Sequence, residues 1–204
     1  MKRNIDKEYL KSLEKNGVTI VPTLWRDVFS VQELASYFEH FGSEQIVLKP
    51  RISANADNTF WLTKYNFMDH VDALALAFTT RPFMVQPFMA SVINEGEFSL
   101  FYFDGQYSHT ILKTPKDNDF RVQEEHGGRL QSVTPEEKLV QQATHALSAI
   151  DEMPLYARVD FVRHGEQFAL MEAELIEPSL YFNMDDKSAS RFAKAFANKM
   201  KSLT

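Results

Sequence analysis

The residues with the greatest chemical potential lie in two strand-like runs near the C-terminus. The first run carries Arg158 and Asp160, and the second carries Glu172 and Glu174. Because side chains alternate faces along a strand, the members of each pair share a face. If a hairpin brings these two faces together, three carboxylates and one guanidinium converge. Clustered carboxylates repel one another unless a cation joins them, and Mg²⁺ prefers such oxygen ligands.

This spacing predicts a magnesium site on Asp160, Glu172 and Glu174, with Arg158 placed to stabilise a transferring phosphoryl group. The alternation alone is also typical of the solvated face of a half-buried strand, so a purely structural role stays open. The setting of the two glutamates favours the site, because apolar residues surround them and like charges there are costly without a cation. These neighbours are Leu170, Met171, Ala173, Leu175 and Ile176.

The composition narrows the class of protein. The 204 residues are 25 % charged and 44 % hydrophobic, which suits one globular domain or two small lobes that share a cleft. A formal net charge of -6 argues against a general nucleic-acid binder. The chain contains no cysteine, which excludes disulfides, thiolate metal sites and cysteine nucleophiles.

The sequence gives no sign of membrane insertion. The N-terminus lacks the apolar run of a signal peptide. The most apolar region, residues 73–93, is interrupted by Arg81, Pro82, Gln86 and Pro87. We therefore expect no membrane partner and a cytoplasmic location.

Helices and hairpins must position the charged residues. Helical spacing of apolar residues, with Asp6, Ser30 and Thr134 as candidate caps, predicts five helices. They cover residues 6–16, 30–42, 66–78, 135–150 and 187–200. Strands are predicted at 18–21, 45–48 and 83–86, and hairpins at 97–112, around Asp104-Gly105, and at 156–175. This mixture predicts an α+β fold, not a doubly wound parallel sheet.

The charged hairpin resembles the metal-binding end of ATP-grasp enzymes. The pattern Arg158-x-Asp160, then Glu172-x-Glu174 and Pro178, carries this resemblance. The sequence of residues 171–180 resembles that of the ATP-grasp subgroup near ribosomal-protein glutamate ligases, prokaryotic glutathione synthetases and the cycloserine-forming ligase. The resemblance implies two α+β lobes that clasp ATP and Mg²⁺, the first at residues 1–84 and the second, with the metal site, at 85–204.

The resemblance extends over almost the whole chain and implies further site residues. Lys7, Lys49 and Lys113 match lysines of the nucleotide cleft, the first two being phosphate ligands. Arg121, followed by Gly127-Gly128, falls in the family's mobile loop near the γ-phosphate and the acyl substrate. Residues of the hinge that holds adenine match Val85, Gln86, Phe88 and Met89.

Each of these residues also has a simpler interpretation. Lys7, Lys49, Lys113 and Arg121 could be solvated surface charges, and Phe88 and Met89 would be core residues in any fold. His109 and His126 are isolated, and neither is assigned a metal.

Three departures from the family pattern stand out. The family commonly has asparagine at the position of Glu174. The loop after Pro50 lacks the glycines that let backbone amides wrap phosphates, so Ser53, Asn55 and Thr59 would have to contribute. Family members usually carry a separate domain before the position of Asp6, and we expect this pre-ATP-grasp domain to be absent from the chain.

The resemblance implies a ligase that activates a carboxylate as an acylphosphate and transfers it to an amine or thiol. Its expected substrates are a small-molecule carboxylate and an amine, with a homo-oligomer or a separate N-terminal domain as candidate protein partners. Two alternatives stay open at this point. One is a non-catalytic nucleotide-binding module that needs a partner domain. The other is a metal-dependent hydrolase, which is weaker because no histidine lies at metal-ligand spacing from the carboxylates.

Overall fold

The computed structural model describes residues 4–117 and 119–202, which form two compact units. One unit contains the chain up to Ile20 together with the chain from Ala90 onward, and the other is Val21–Met89. The first twenty residues thus group with the C-terminal half of the chain.

Long-range hydrogen bonds explain why the N-terminal residues group with the C-terminal half. Leu170 N donates to Thr19 O at 2.9 Å, and Asn4 and Tyr9 bond the backbone around Ala173. Local periodicity cannot reveal partners that lie more than 150 residues away along the chain.

The Val21–Met89 unit is a four-stranded antiparallel sheet in the order β1-β4-β2-β3. Its strands are β1 (Leu24–Arg26), β2 (Gln45–Pro50), β3 (Phe60–Thr63) and β4 (Phe83–Pro87). Helix α1 (Tyr9–Lys15) precedes this unit and belongs to the other one. The helices of the Val21–Met89 unit are α2 (Leu34–Phe41) and α3 (Val71–Phe78). The apolar stripe predicted on α2 is confirmed, since Leu34, Tyr37 and Phe38 are buried in the core.

The other unit is a five-stranded antiparallel sheet in the order β7-β6-β5-β8-β9. Its strands are β5 (Glu97–Phe103), β6 (Gln106–Thr114), β7 (Arg129–Ser132), β8 (Tyr156–His164) and β9 (Gln167–Glu174). The remaining helices are α4 (Ser91–Asn94), α5 (Glu137–Ser148) and α6 (Ser188–Ser202). Both predicted hairpins are present, as β5–β6 and β8–β9.

Helix α5 covers one face of the five-stranded sheet. Leu139, Ala143 and Leu147 on α5 are buried, and the Gln142 side chain donates to Phe168 O and accepts from Phe168 N. Tyr102 on β5 reaches the same helix through a 3.2 Å contact with the Thr144 hydroxyl. The opposite face of the sheet is therefore the one that carries the charged side chains.

Some predicted elements differ from those observed. Residues 18–21 form no regular strand, because the short run before Pro22 makes a single parallel bridge from Ile20 to Leu170. Thr134 does not cap α5, whose N-cap is Glu136 without a side-chain hydrogen bond. Strands β1, β3 and β7 were not predicted, because each has only three or four residues.

Across residues 4–117 and 119–202, no helix is both long and apolar enough to cross a membrane.

Candidate functional site

The β8–β9 hairpin brings the predicted charged residues together. In its register Asp160 lies opposite Glu172, and Arg158 lies opposite Glu174. The ladder is irregular beyond Asp160, where the register shifts by one residue and leaves Met171 as a bulge on β9. Arg158 and Asp160 are only 8 % and 3 % exposed, so this is not the solvated face of a strand.

Asp160 is the most heavily bonded carboxylate of the group. Its Oδ1 accepts from the Ser99 hydroxyl at 2.5 Å, and Arg158 Nε and Nη2 donate to its carboxylate at 3.0–3.1 Å. Burial alone would raise the pKa of Asp160, but Arg158 and Lys113 hold it below its usual value. Asp160 is therefore ionised across the physiological range.

Lys113 reaches the same cluster from β6. Its Nζ lies 2.5 Å from Glu97 Oε1 and 3.6 Å from Asp160 Oδ2. Burial alone would lower the pKa of Lys113, but the negative charges of Asp160 and Glu97 raise it, so the ammonium stays charged. The alternative of a solvated surface lysine does not apply, since the residue is 4 % exposed.

Glu172 and Glu174 form the more accessible part of the cluster. Lys7 Nζ lies 3.1 Å from Glu172 Oε1, and Arg158 donates to Glu174 Oε1. Burial, opposed by Arg158 and reinforced by Asp160 and Glu172, raises the pKa of Glu174 to about 7. Lys7 is itself 5 % exposed, so it too is not an ordinary surface lysine.

The charges of this face, hereafter the charged face, do not balance. Its described carboxylates are Glu97, Asp160, Glu172 and Glu174, and its described cations are Lys7, Lys113 and Arg158. The excess negative charge adds to burial in raising the pKa of Glu174.

A hard divalent cation fits this donor set chemically. Glu172 and Glu174 offer carboxylate oxygens with side chains 27 % and 32 % exposed, and oxygen donors suit Mg²⁺. Within the described ranges, no three histidine, cysteine, aspartate or glutamate side chains are grouped to hold a metal ion. The carboxylates contact cationic side chains instead, so the metal role of Asp160, Glu172 and Glu174 stays a prediction.

The predicted hinge and Lys49 lie in the Val21–Met89 unit. Phe88 stacks on Trp61 with ring centroids 4.4 Å apart, and Phe88 N donates to Gln45 O at 3.0 Å. The Gln86 side chain donates to the Thr23 hydroxyl at 2.9 Å.

Val85 is fully buried in the core of this unit, Met89 is its last residue, and Lys49 is half-buried near the end of β2. These contacts leave the predicted nucleotide roles of Lys49, Val85, Gln86, Phe88 and Met89 as predictions.

The loop after Pro50 adopts the conformations that glycine favours, without glycine. Asn55, Ala56 and Asn58 have φ values of 53°, 55° and 50°. The left-handed region is uncommon for residues with a Cβ and strained for alanine in particular. The predicted departure from a glycine-rich loop is thus accommodated by backbone strain at Ala56.

Arg121 is fixed by a carboxylate that the sequence interpretation did not single out. Its Nε and Nη2 donate to Asp119 Oδ1 and Oδ2 at 3.0 and 2.9 Å. Asp119 Oδ1 also accepts from the backbone N of Phe120 and Arg121. These bonds hold the pKa of Asp119 well below its usual range. The catalytic role of Arg121 stays a prediction, and the structure does not join it to the charged face by any described contact.

Other residues of the site were not evident from the sequence. Asn4 and Tyr9 bond the backbone of β9, and Trp61 stacks under Phe88. In the sequence, only the match of Lys7 to the family's phosphate-binding lysine indicated a role for the N-terminal segment. The isolated His109 is buried and stacks on Phe101 with ring centroids 4.3 Å apart, which indicates a role in packing.

Comparisons with known proteins identify the fold. No family model matches the chain. The cycloserine biosynthesis protein DcsG of Streptomyces lavendulae is 28 % identical over 215 residues, which cover 97 % of this chain and 70 % of DcsG. The crystal structure of D-cycloserine synthetase DcsG matches with a TM-score of 0.83 at 27 % identity, covering 97 % of this chain and 71 % of that one. The ATP-grasp ligase PsnB matches with a TM-score of 0.69 at 16 % identity, covering 97 % and 61 %.

The chain has the ATP-grasp fold, and the proteins to which it is similar are ATP-grasp ligases. D-alanine–D-alanine ligase from Bacillus anthracis shares the ATP-grasp fold, with a TM-score of 0.68 at 15 % identity over 95 % of this chain and 65 % of that ligase. The predicted α+β ATP-grasp fold and the predicted assignment to the ATP-grasp ligases, which are enzymes, are confirmed. The ATP-grasp relatives are longer, so this chain corresponds to part of their length.

Proposed function

We propose that this ATP-grasp chain binds Mg-ATP and activates a substrate carboxylate for ligation to an amine or thiol. The observation that carries the proposal is the charged face, where the buried cations Lys7, Lys113 and Arg158 meet a surplus of carboxylates. The likeness to ATP-grasp ligases, including structures of PsnB with Mg and ADP, supports it.

In this reaction the substrate carboxylate attacks the γ-phosphate of ATP, giving an acylphosphate and ADP. The amine then displaces inorganic phosphate and forms the amide bond. Lys7, Lys49 and Lys113 would neutralise phosphate charge, and Arg158 would stabilise the transferring group. Each of these side chains acts by position and charge, so the chemistry needs no nucleophilic side chain from the protein.

Magnesium would be held by Glu172, Glu174 and Asp160 and would neutralise phosphate oxygens in the transition state. Asp160 contributes mainly as the anchor for Arg158 and Lys113, because its carboxylate already accepts their hydrogen bonds and that of Ser99. Glu172 and Glu174 are better placed to meet a solvated cation, because their side chains are more exposed than that of Asp160.

Calorimetric titration of ATP, with and without Mg²⁺, tests the binding half of this proposal. We expect Mg²⁺ to strengthen ATP binding to the native chain. Glu172→Gln should weaken Mg-ATP binding about 10-fold or more, as expected for the loss of a metal ligand. Glu152→Gln, at an exposed site outside the charged face, is the matched control and should bind like the native chain. Equal affinity of the two variants would refute the role of Glu172.

Release of ADP tests the ligase half. A panel of amino acids and short peptides supplies carboxylates and amines, because relatives are named for cycloserine synthesis, D-alanine–D-alanine ligation and precursor-peptide binding. ADP release that requires both a carboxylate and an amine supports ligation. Mg-ATP binding without release across the whole panel would favour a non-catalytic nucleotide-binding module. The predicted cytoplasmic location, the oligomeric partner and the limits of the two lobes stay predictions.

A further inference from the structure

Strand β9 lies at the edge of the five-stranded sheet, and the N-terminal segment occupies its outer side. An unpaired edge strand presents a row of backbone donors and acceptors. In this chain Leu170 N donates to Thr19 O at 2.9 Å, and Ile20 forms a parallel bridge with Leu170. The remaining outward groups near Glu172 and Glu174 are bonded by side chains instead of a neighbouring strand.

Beside Glu174, the Asn4 side chain makes the hydrogen bonds that a residue of a neighbouring strand would make. Its Nδ2 donates to Ala173 O at 2.8 Å, and its Oδ1 accepts from Leu175 N at 3.0 Å. A neighbouring parallel strand would bond these same two groups on either side of one residue. The amide therefore fixes the backbone on both sides of Glu174.

Tyr9 performs a similar task beside Glu172. Its hydroxyl oxygen accepts from Ala173 N at 2.7 Å. Burial and the negative charge of Glu172 raise its pKa well above the usual value, so the hydroxyl is neutral and keeps its proton. The same segment contributes Lys7, whose Nζ contacts Glu172 at 3.1 Å.

We propose that Asn4 and Tyr9 are positioning residues that set the divalent-cation affinity of the charged face. They hold the β9 backbone at the residues from which Glu172 and Glu174 project, while neither side chain serves as a ligand itself. This inference rests on the proposed function, because it assigns a task within the Mg-ATP site. Residues that orient metal ligands from behind commonly change metal affinity by 10- to 100-fold when they are replaced.

Two conservative replacements test the proposal separately. Tyr9→Phe removes one hydroxyl, and Asn4→Ala removes the amide that brackets Glu174. Tyr102→Phe is the matched control, because it removes the hydroxyl of a tyrosine that bonds Thr144 on the α5 side of the same sheet. All three variants and the native chain are compared below their melting temperatures.

The decisive quantity is the Mg²⁺ concentration that half-saturates ATP binding, measured beside the affinity for metal-free ATP. We expect Tyr9→Phe and Asn4→Ala to raise the Mg²⁺ half-saturation about 10-fold, with metal-free affinity within about twofold of the native chain. Tyr102→Phe should leave both quantities unchanged. A general loss of folding would weaken the binding of metal-free ATP as well, and would not change the Mg²⁺ half-saturation alone.

Amide hydrogen exchange at Ala173 and Leu175 provides a second readout without nucleotide. Faster exchange is expected at Ala173 in Tyr9→Phe and at Leu175 in Asn4→Ala, because each variant removes the acceptor of that amide. If the native chain shows Mg²⁺-dependent binding but both variants match Tyr102→Phe, the inference is wrong and the proposed function stands. If the native chain itself shows no Mg²⁺ dependence, the proposed function fails and the positioning role fails with it.

Discussion

Neutralising either of two carboxylates on the charged face should change the stability of the folded chain, in opposite directions for the two. Glu174 has its pKa raised to about 7 by burial and by the charges of Asp160 and Glu172. Asp160 has its pKa held below the usual value by Arg158 and Lys113. We therefore expect Glu174→Gln to stabilise the folded chain at pH 8 and Asp160→Asn to destabilise it.

The sign for Glu174 follows from proton linkage. A raised folded-state pKa means that the folded chain binds the proton more tightly than the unfolded chain. The ionised side chain thus costs stability, and this cost is absent below about pH 4.5, grows as the pH rises, and is complete above about pH 7. The shift from 4.5 corresponds to ~3 kcal/mol. Because the side chain is 32 % exposed, solvent screening reduces the expected gain for glutamine to about 1–2 kcal/mol.

The sign for Asp160 is the reverse. A lowered folded-state pKa stabilises the fold at every pH above the unfolded value of 3.8, and the contribution is lost as the pH falls through the folded value. Asn keeps the shape and can still accept from Ser99, but it leaves Arg158 and Lys113 buried with less opposing charge. Breaking a buried ion pair from one side costs about 3–5 kcal/mol.

Urea unfolding of both variants between pH 5 and pH 8.5 measures these effects. Glu174→Gln should match the native chain near pH 5 and exceed it at pH 8, while Asp160→Asn should be weaker throughout. Glu152→Gln, at an exposed site outside the charged face, controls for the loss of one acidic charge. The reasoning would be refuted by Glu174→Gln being less stable than the native chain at pH 8, since Arg158 would then dominate its surroundings.

Three other outcomes follow from local geometry and the proposed function. Ala56→Gly should raise the free energy of unfolding by about 0.5–1 kcal/mol, because glycine relieves the left-handed strain. Ala54→Gly is the control and should lower the free energy of unfolding, and urea unfolding measures both. Asp119→Asn should speed limited proteolysis within residues 114–128, since it removes charge-assisted bonds to Arg121; an unchanged cleavage rate would contradict this. Lys49→Met should weaken ATP binding about 10-fold in calorimetry, whereas Lys64→Met, at an exposed site paired with Glu44, should leave it unchanged.

The sequence predicted the charged hairpin well, because the relevant information is local. Alternation assigns Arg158, Asp160, Glu172 and Glu174 to shared faces, and a short turn makes antiparallel pairing the natural outcome. The observed register adds what alternation cannot supply, namely which residues lie opposite each other and where β9 bulges. Burial of Arg158 was not evident either, because it depends on elements from distant parts of the chain.

The N-terminal segment shows why the rest could not be predicted. Asn4, Lys7 and Tyr9 look like ordinary residues before and within a short helix. Their partners on β9 and at Leu175 directly after it are 164–171 residues away, so no spacing rule connects them. The family resemblance suggested a role for Lys7 but gave no reason to examine Asn4 or Tyr9.

The central claim is that Mg-ATP binds at the charged face, and replacing Mg²⁺ with paramagnetic Mn²⁺ tests it most directly. In amide spectra of the chain with ATP, Mn²⁺ should broaden the signals of Asp160, Glu172 and Glu174 and their strand neighbours first. Glu172→Gln should require more Mn²⁺ for the same broadening, and Glu152→Gln should not. Broadening centred away from β8 and β9, or no broadening when ATP is bound, would contradict the account.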